Sequence, residues 1–514
     1  MSFEPYYITT AISYPNGKPH IGHAYEAIAT DAIARFHRLS GREVFFQTGT
    51  DEHGLKMVQT ARDKGVEVTS LSDEMSGLFK AMCDRLDISY DRFIRTTEPS
   101  HHAASQALWK AMEANGDLYL GRYEGWYSVR DEAFYDDKEL IEGNGGEGGA
   151  RLSPQGTPVE WTVEESWFFR LSKYQQPLLD YYAAHPDFIR PDSRRNEILR
   201  FVEGGLSDLS VSRTSFDWGV KVPGSDGHVM YVWVDALTNY LTGAGYPDDT
   251  ARLAKFWPAD LHVIGKDIVR FHTVYWPAFL LSAGIAPPKQ VFGHGFLLAR
   301  GGEKMSKSLG NVVDPIELAD AFGVDALRYF LLREVSFGSD GSYSPEAIVT
   351  RVNADLANNF GNLAQRSLSM IAKNCDGIIP QPGPATDADT QLLDAIATAA
   401  DAADAAMIDL ALNTALEAIW QAMSAANLYF AEQAPWTVRK TDPARADTIL
   451  YFTLEAVRRL AILTLWAIPD GAGKILEFLG QSPKLTFADL PSAIQPGTIL
   501  PAPTGAFPRL EITA

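Results

Sequence analysis

The sequence predicts an α/β fold: a doubly wound parallel sheet interrupted by an inserted domain and followed by an all-α helical bundle. Three observations carry this. The first fifty residues alternate strand, helix, strand; strand signals break off between Asn115 and Arg213 and then resume; after about Arg351 they give way to long Ala/Leu-rich segments.

Each element has its own warrant. Tyr6 to Ile12 is β-branched and aromatic and reads as a buried strand. A turn follows, SYPNGKPHIG. Then Tyr25, Ile28, Ala29, Ala32, Ile33 and Phe36 recur at helical spacing, Gly41 stops the helix, and Val44 to Phe46 forms the next strand. Strand, crossover helix and strand make a parallel βαβ unit. From Asn115 to Arg213 short aromatic-rich pieces and turn residues suggest an insertion, with a mobile tip expected at Gly143 to Gly149, where five of seven residues are glycine. Apolar strands are expected again at His228 to Val234, Leu261 to Gly265 and Val291 to Phe292. In the last third, Leu412, Leu416, Ile419, Trp420 and Met423 mark one helical face and Leu454 onward another, as in a helical bundle. The expected divisions are 1–114 and 214–293 for the sheet, 115–213 for the insertion, 294–350 for a linker, 351–495 for the bundle and 496–514 for a tail.

Composition narrows the class. With 46% hydrophobic and 21% charged residues the chain can bury a large core and is not disordered. Two cysteines, Cys83 and Cys375, cannot build a disulfide framework and suit a reducing compartment. The start MSFEPYYITT lacks the basic residues of a signal peptide, and the longest apolar run, Leu460 to Ile468, is too short to span a bilayer. A cytoplasmic protein without membrane contact is expected. The formal charge of −20 argues against a general nucleic-acid binder, though not against gripping one RNA through local patches.

Two motifs carry chemistry. Pro19-His20-Ile21-Gly22-His23 lies at the first strand–helix junction. There a helix N-terminus offers backbone N–H groups and a positive dipole end to phosphate, His20 and His23 add donors, and Gly22 allows close approach of a nucleotide. Lys304-Met305-Ser306-Lys307-Ser308, flanked by glycines, can swing two cations onto a polyphosphate. By accident that pentapeptide arises in on the order of one chain in several thousand.

PHIGH and KMSKS resemble the paired signatures of class I aminoacyl-tRNA synthetases. Further segments are similar to the methionyl-tRNA synthetase family: TDEHG from Thr50, FIRPDSRRNEILRFVEGGLSDLSVSR from Phe188, HVMYVWVDALTNY from His228, HVIGKDIVRFH from His262 and FPRLE from Phe507. The resemblance implies a Rossmann-type catalytic domain with a connective-peptide insertion, a KMSKS-bearing stem-contact linker and an anticodon-binding bundle. It implies activation of L-methionine by ATP with Mg²⁺, release of pyrophosphate, and transfer to the 3′ adenosine of tRNA(Met) for initiation and elongation. It implies His20, Gly22, His23, Asp267, Lys304 and Lys307 as the ATP-binding set, with His20, His23, Lys304 and Lys307 catalytic. For methionine it implies walls from Ala11, Ile12, Trp233, Ala236, Leu237, Tyr240, Ile268 and Phe271, polar groups from Tyr14 and His272, and Asp51 on the α-ammonium. That agrees with the chemistry of a polarizable thioether, which calls for an aromatic-lined cavity.

Asn362 and Arg366 lie four apart on one helical face. Taken alone, Trp436 reads as a core tryptophan; the resemblance instead makes Asn362, Arg366 and Trp436 readers of the anticodon. Many family members fold the insertion around zinc held by cysteine pairs. Here Ser128 and Asp131 stand where the first pair would be, and no cysteine lies between Asn115 and Arg213. A structural zinc needs about four N or S ligands, so no metal is expected beyond the Mg²⁺ of ATP. Trp126, Tyr127, Phe134, Tyr135, Trp161, Trp167, Phe168 and Phe169 are then the expected core of the insertion. The insertion is too small for the editing domain of leucine, isoleucine or valine enzymes, and no thiolate is available for a zinc-dependent cysteine enzyme. A pseudoenzyme on the same scaffold is disfavoured by the intact PHIGH, KMSKS and Asp51. The chain ends soon after FPRLE, leaving no room for an added dimerising module, so a monomer is expected, with its tail packed back on the catalytic half.

Overall fold

The computed structural model describes residues 4–130, 133–142, 151–298, 312–502 and 504–511. Along the chain the strands that frame the site are β1 (Tyr6–Thr10), β2 (Val44–Thr50) and β3 (Arg92–Arg95). After them come β4 (Leu118–Ser128), β5 (Ala133–Tyr135), β6 (Glu160–Phe169), β7 (Ile189–Arg190), β8 (Leu209–Ser210), β9 (Leu261–Gly265) and β10 (Val291–His294). The central sheet runs β3-β2-β1-β9-β10-β7, with every pairing parallel. Strand order turns around between β1 and β9. In a doubly wound sheet such a switch point opens a crevice at the carboxyl ends of the strands.

Helix α1 (Ile21–Leu39) crosses from β1 to β2 and buries the predicted face, Tyr25, Ile28, Ala29, Ala32, Ile33 and Phe36. It ends at Ser40, and Gly41 takes a left-handed φ of 89°. The insertion is a four-stranded sheet, β8-β6-β4-β5, in which β4 and β6 pair antiparallel from Leu118↔Phe169 to Tyr127↔Glu160. Its polar–apolar alternation leaves one face wet. Phe169, Tyr127 and Tyr135 are buried as expected; Trp161 is not, at 49% exposure, because its place in the alternation puts it on the open face.

Three further expectations change. Ile189–Arg190, inside the expected insertion, pairs with Val291–Phe292 and so belongs to the central sheet. The strand expected at His228 to Val234 is cut to Val229–Met230, and a helix starts at Val232. Asp235, Asn239 and Thr242 recur at i, i+4 and i+7 there, a helical pattern that outweighs the β-branched run before it. The tail seats on the bundle rather than on the catalytic half: the Phe507 ring lies tilted 5.9 Å from Phe360 and against Gly471, and Asn353 exchanges hydrogen bonds with the Leu510 backbone at 2.8 and 2.9 Å.

The remaining helices used below are α2 (Pro99–Ala114), α3 (Val232–Ala244), α4 (Val324–Glu334), α5 (Asn362–Asn374), α6 (Asp387–Ile408) and α7 (Leu412–Gln433). They are followed by α8 (Pro435–Val438), α9 (Pro443–Thr464) and α10 (Pro469–Phe478). The predicted faces of α7 and α9 are buried, and they join the α1 side of the sheet in one continuous apolar core. No described helix is long and apolar enough to cross a membrane.

Helix α4 is the hinge-pin between the halves. Arg328 is wholly buried, ion-paired to Asp31 of α1 at 2.7 Å, and donates to the carbonyls of Trp466, Ala467 and Leu86. One turn earlier, Asp325 accepts the Gly471 N–H at 2.6 Å while its other oxygen has no hydrogen-bond partner among the described residues. Burial pushes this carboxyl up to about 6. A folded pKa raised above the unfolded one gives stability that is present at low pH and lost as pH rises through about 6. Asp325→Asn keeps the acceptor and removes the titration. Most of that loss lies between the unfolded value near 4 and about 6, so its stability relative to wild type should improve between pH 5 and pH 8 by about 1.4 kcal/mol. Denaturant midpoints of both proteins at the two pH values test this; a constant difference would contradict it.

Candidate functional site

The crevice at the β1–β9 switch point is built from three pieces of chain. The first is the start of α1. His20 is the N-cap, and its Nδ1 accepts the Gly22 N–H at 3.1 Å while His23 Nδ1 accepts the His20 N–H at 3.1 Å. The two rings lie 3.8 Å apart. Because each Nδ1 accepts, each neutral ring carries its proton on Nε2, so both present a donor on their far side. This geometry revises two expectations. The helix N-terminus does not offer a row of spare amides: Ile21 N–H goes to Val313 O at 3.0 Å, Gly22 N–H to His20, and His23 N–H to His20 O. A Cβ on Gly22 would lie 2.9 Å from His20 Cε1, so this glycine makes room for the His20 ring before any ligand.

The second piece is the end of β2. Ser13 N–H bonds Gly49 O at 3.0 Å and Asp51 N–H bonds Ser13 O at 2.9 Å, so the chain after β1 is stitched to the chain after β2. Asp51 is 8% exposed. Behind it Glu52, fully buried, takes Arg95 at 2.6 and 2.9 Å and the hydroxyls of Thr50, Ser72 and Thr97 at 2.6–2.7 Å. Burial alone would raise the Glu52 carboxyl; these donors outweigh it and hold it below the usual range. Tyr14 receives the Met57 N–H on its hydroxyl at 3.0 Å.

The third piece is a ring-lined slot. Trp233 stacks on Phe271 with centroids 3.8 Å apart and planes 3° from parallel, and the buried Trp233 indole N–H has no partner among the described residues. Ala11, Trp233, Leu237, Tyr240 and Ile268 share one apolar cluster, and Ala236 is 4% exposed. Ile12 is half-buried and outside both clusters around the slot. His272 Nδ1 faces the Ile268 carbonyl at 3.0 Å and so carries the proton, which leaves Nε2 to accept the Tyr240 hydroxyl at 2.7 Å. Burial lowers His272 to about 4, so the slot wall is uncharged at neutral pH. Behind it His262, stacked on Tyr240 at 4.0 Å, is likewise held neutral by burial.

Several participants have no sequence signature. Tyr135 of the insertion packs in one cluster with Phe271, Trp233 and Ile268, closing the slot from outside. His294, at the end of β10, gives one ring nitrogen to Gly295 O and the other to Glu26 of α1, both at 2.8 Å. Burial opposes its charged form, but Glu26 outweighs burial and its pKa is raised, with Asp267 contributing from nearby. Asp267 lies beside Gly265 at the mouth of the crevice. Lys304 and Lys307 lie outside the described residues, as do Asp131, Glu132 and the Gly143–Gly149 tip.

A second surface lies on the bundle. Asn362 and Arg366 are exposed on α5, and the Arg366 guanidinium sits 5.0 Å over the Phe430 ring and 5.5 Å over Trp436. Trp436, on the short α8, is 42% exposed, so it is not a core tryptophan. In the insertion, Ser128, Thr157 and Ser153 join hydroxyls at 2.8 and 2.7 Å. Among the described residues no group of three or more His, Cys, Asp or Glu could hold a metal.

Comparison with known proteins agrees with this geometry. A family model described as tRNA synthetases class I (M) matches residues 6–368, and one described as the anticodon binding domain of methionyl tRNA ligase matches residues 379–512. The chain is 60% identical over 512 residues to the methionine–tRNA ligase of Brucella suis biovar 1, covering 99% of this chain and 98% of that one. It is 58% identical over 517 residues to that of Mycobacterium tuberculosis H37Rv, with the same coverage. Among solved structures, Mycobacterium tuberculosis methionyl-tRNA synthetase in complex with methionyl-adenylate superposes with a TM-score of 0.96 at 58% identity, covering 99% and 100% of the two chains. Its free form gives 0.89 at 55% identity, covering 99% of each.

Proposed function

The chain belongs to the methionyl-tRNA synthetase family of class I tRNA synthetases, and we propose that the β1–β9 crevice carries out ligation of methionine to tRNA with the residues gathered there. The observation that carries this is the meeting, in one crevice, of a helix start with two Nε2–H imidazoles, the Asp51 carboxylate, and an uncharged aromatic slot. Methionine lies with its α-ammonium on Asp51 and its thioether among Trp233, Phe271, Leu237, Ala236, Ile268, Ala11, Ile12 and Tyr240. A neutral His272, with Tyr14, gives that polarizable sulfur polar neighbours without a charge to desolvate.

ATP lies along the start of α1, with Gly22 beneath it and Asp267 near its ribose. The methionine carboxylate attacks the α-phosphorus in line, pyrophosphate leaves, and methionyl-adenylate remains. His20 and His23 donate from Nε2 to phosphate oxygens, and Lys304 and Lys307 neutralise charge that grows on the leaving pyrophosphate. Such a reaction depends on positioning and electrostatics more than on a protein nucleophile. Mg²⁺ accompanies ATP as counter-ion to the polyphosphate. In the second step the 3′-terminal adenosine hydroxyl of tRNA(Met) attacks the acyl carbonyl and AMP departs. Asn362, Arg366 and Trp436 read the anticodon: Trp436 stacks on an unpaired base, and the other two bond base edges.

Methionine-dependent ATP–pyrophosphate exchange tests this reading. Lys307→Ala should cut the exchange rate far more than methionine affinity, because the cation acts on charge developing in the transition state. Equal losses in both would remove it from that role. Trp436→Ala should leave exchange nearly intact and weaken tRNA charging by one to two decades, as expected for losing a stacking platform worth roughly 1–3 kcal/mol. A parallel fall in exchange would make Trp436 a packing residue.

We further propose a zinc-free cytoplasmic monomer. Ser128, which stands where the resemblance puts a cysteine, is instead joined through its hydroxyl to Thr157 and on to Ser153, and neutral hydroxyls are not structural zinc ligands. One chain supplies every candidate group for both steps. Native mass spectrometry should give a single chain of 56.5 kDa without zinc; a dimer or stoichiometric zinc would contradict this.

A further inference from the structure

Helix α3 has two faces with different tasks. Trp233, Ala236, Leu237 and Tyr240 line the slot. On the opposite side Asp235, Asn239 and Thr242 carry polar groups inside an otherwise apolar helix, and Asp235 and Asn239 are 0% and 1% exposed. Buried polar groups are costly unless paired, and these are paired across three other elements. The Asp235 carboxylate accepts from His53 Nδ1 and from His101 Nε2, each at 2.6 Å. His53 follows Asp51 by two residues, and His101 lies on α2, where its other nitrogen reaches Thr242 Oγ1 at 3.0 Å. Gln47 of β2 donates to the Asn239 side chain at 2.7 Å and to its carbonyl at 3.1 Å. The back of α3 is thus bolted to β2, to the segment carrying Asp51, and to α2.

These bonds are directional and rigid, whereas the apolar front of α3 tolerates rotation and sliding. We propose that Asp235 is a positioning residue for methionine: its two imidazole partners set the rotation of α3 against the Asp51 segment, so that ring wall and ammonium-binding carboxylate face the same ligand. The inference rests on the reading of Asp51 and the slot given above. Burial alone would raise the Asp235 carboxyl, but the adjacent His53 and the bonds from both imidazoles hold it well below the usual range, so it stays an acceptor on both sides. Trp218 and His102 pack edge-on against the His53 ring at 5.3 and 5.4 Å, Trp218 also bonding the Glu52 carbonyl at 2.6 Å, and Asp235 supplies the directional hydrogen bond to that ring.

The test is a kinetic split in pyrophosphate exchange. Asp235→Asn keeps the shape but turns one acceptor into a donor, and His53→Leu removes the bond from the other end. Both should raise the KM for methionine about tenfold or more while leaving the KM for ATP within about twofold. His53→Gln, which can still donate to Asp235, should stay within about threefold of wild type. The double variant Asp235→Asn/His53→Leu should be no worse than Asp235→Asn alone, since that change already breaks the His53 contact. Should Asp235→Asn fail to fold, the His53→Leu and His53→Gln pair carries the comparison. Unchanged methionine KM in the folded variants, or equal rises for methionine and ATP, would overturn the proposal. Failure of the underlying site reading is distinguishable: Asp51→Asn would then leave methionine KM untouched in an otherwise wild-type chain.

Discussion

A guanidinium and a carboxylate, both withdrawn from water, tie the two halves of this molecule together. Asp31 sits in the middle of α1, the helix whose first turn holds His20 and His23. Arg328 reaches it from α4 and spends its other N–H groups on carbonyls just past the end of α9 and on Leu86. Arg35 and the backbone and hydroxyl of Ser89 complete the carboxylate at 2.5–2.7 Å. A buried pair of this kind adds little over well-packed apolar residues, but removing one partner strands a charge and costs about 3–5 kcal/mol. It therefore enforces one arrangement. Helix α9, 22 residues long, runs about 33 Å from the neighbourhood of Trp436 to this junction. The candidate anticodon surface and the catalytic helix share one support.

In and around the crevice, histidine occupies four different environments. At the start of α1, backbone amides occupy Nδ1 of His20 and His23, so each neutral ring carries its proton on Nε2. Deep in the slot, burial keeps His262 and His272 neutral beside Tyr240. At the end of β10, Glu26 favours the charged form of His294. Behind α3, His53 and His101 share one carboxylate. The residue type is constant; dielectric and partner decide which nitrogen carries the proton and which charge state is favoured.

Much of this was legible in the chain. The helical spacing from Tyr25 to Phe36, the strands at Leu261–Gly265 and Val291, and the faces around Leu416 and Leu454 stand as read, because each is a long periodic pattern with one buried side. Family membership follows from PHIGH, KMSKS and the flanking segments. What escaped has physical reasons. Val232 and Val234 are β-branched yet helical, since the helical recurrence of Asp235, Asn239 and Thr242, together with the tertiary bonds that Asp235 and Asn239 make, outweighs the local strand preference. Ile189–Arg190 is too short a strand to carry a pattern. Tyr135 joins the slot only through the fold of the insertion. Glu52 and Arg95 find each other across 43 positions, a distance that no local spacing encodes. The engagement of the Gly22 amide by the His20 ring has no sequence signal, since capping by His is not one of the usual side-chain caps.

The most direct test of the site is a crystal structure of this chain with methionyl-adenylate bound. The account predicts the α-ammonium within hydrogen-bond reach of the Asp51 carboxylate, about 2.7–3.2 Å away. It also predicts the thioether against the Trp233–Phe271 rings and the phosphate beside His20 and His23 Nε2. An adenylate seated elsewhere, or an ammonium held by some group other than Asp51, would contradict it.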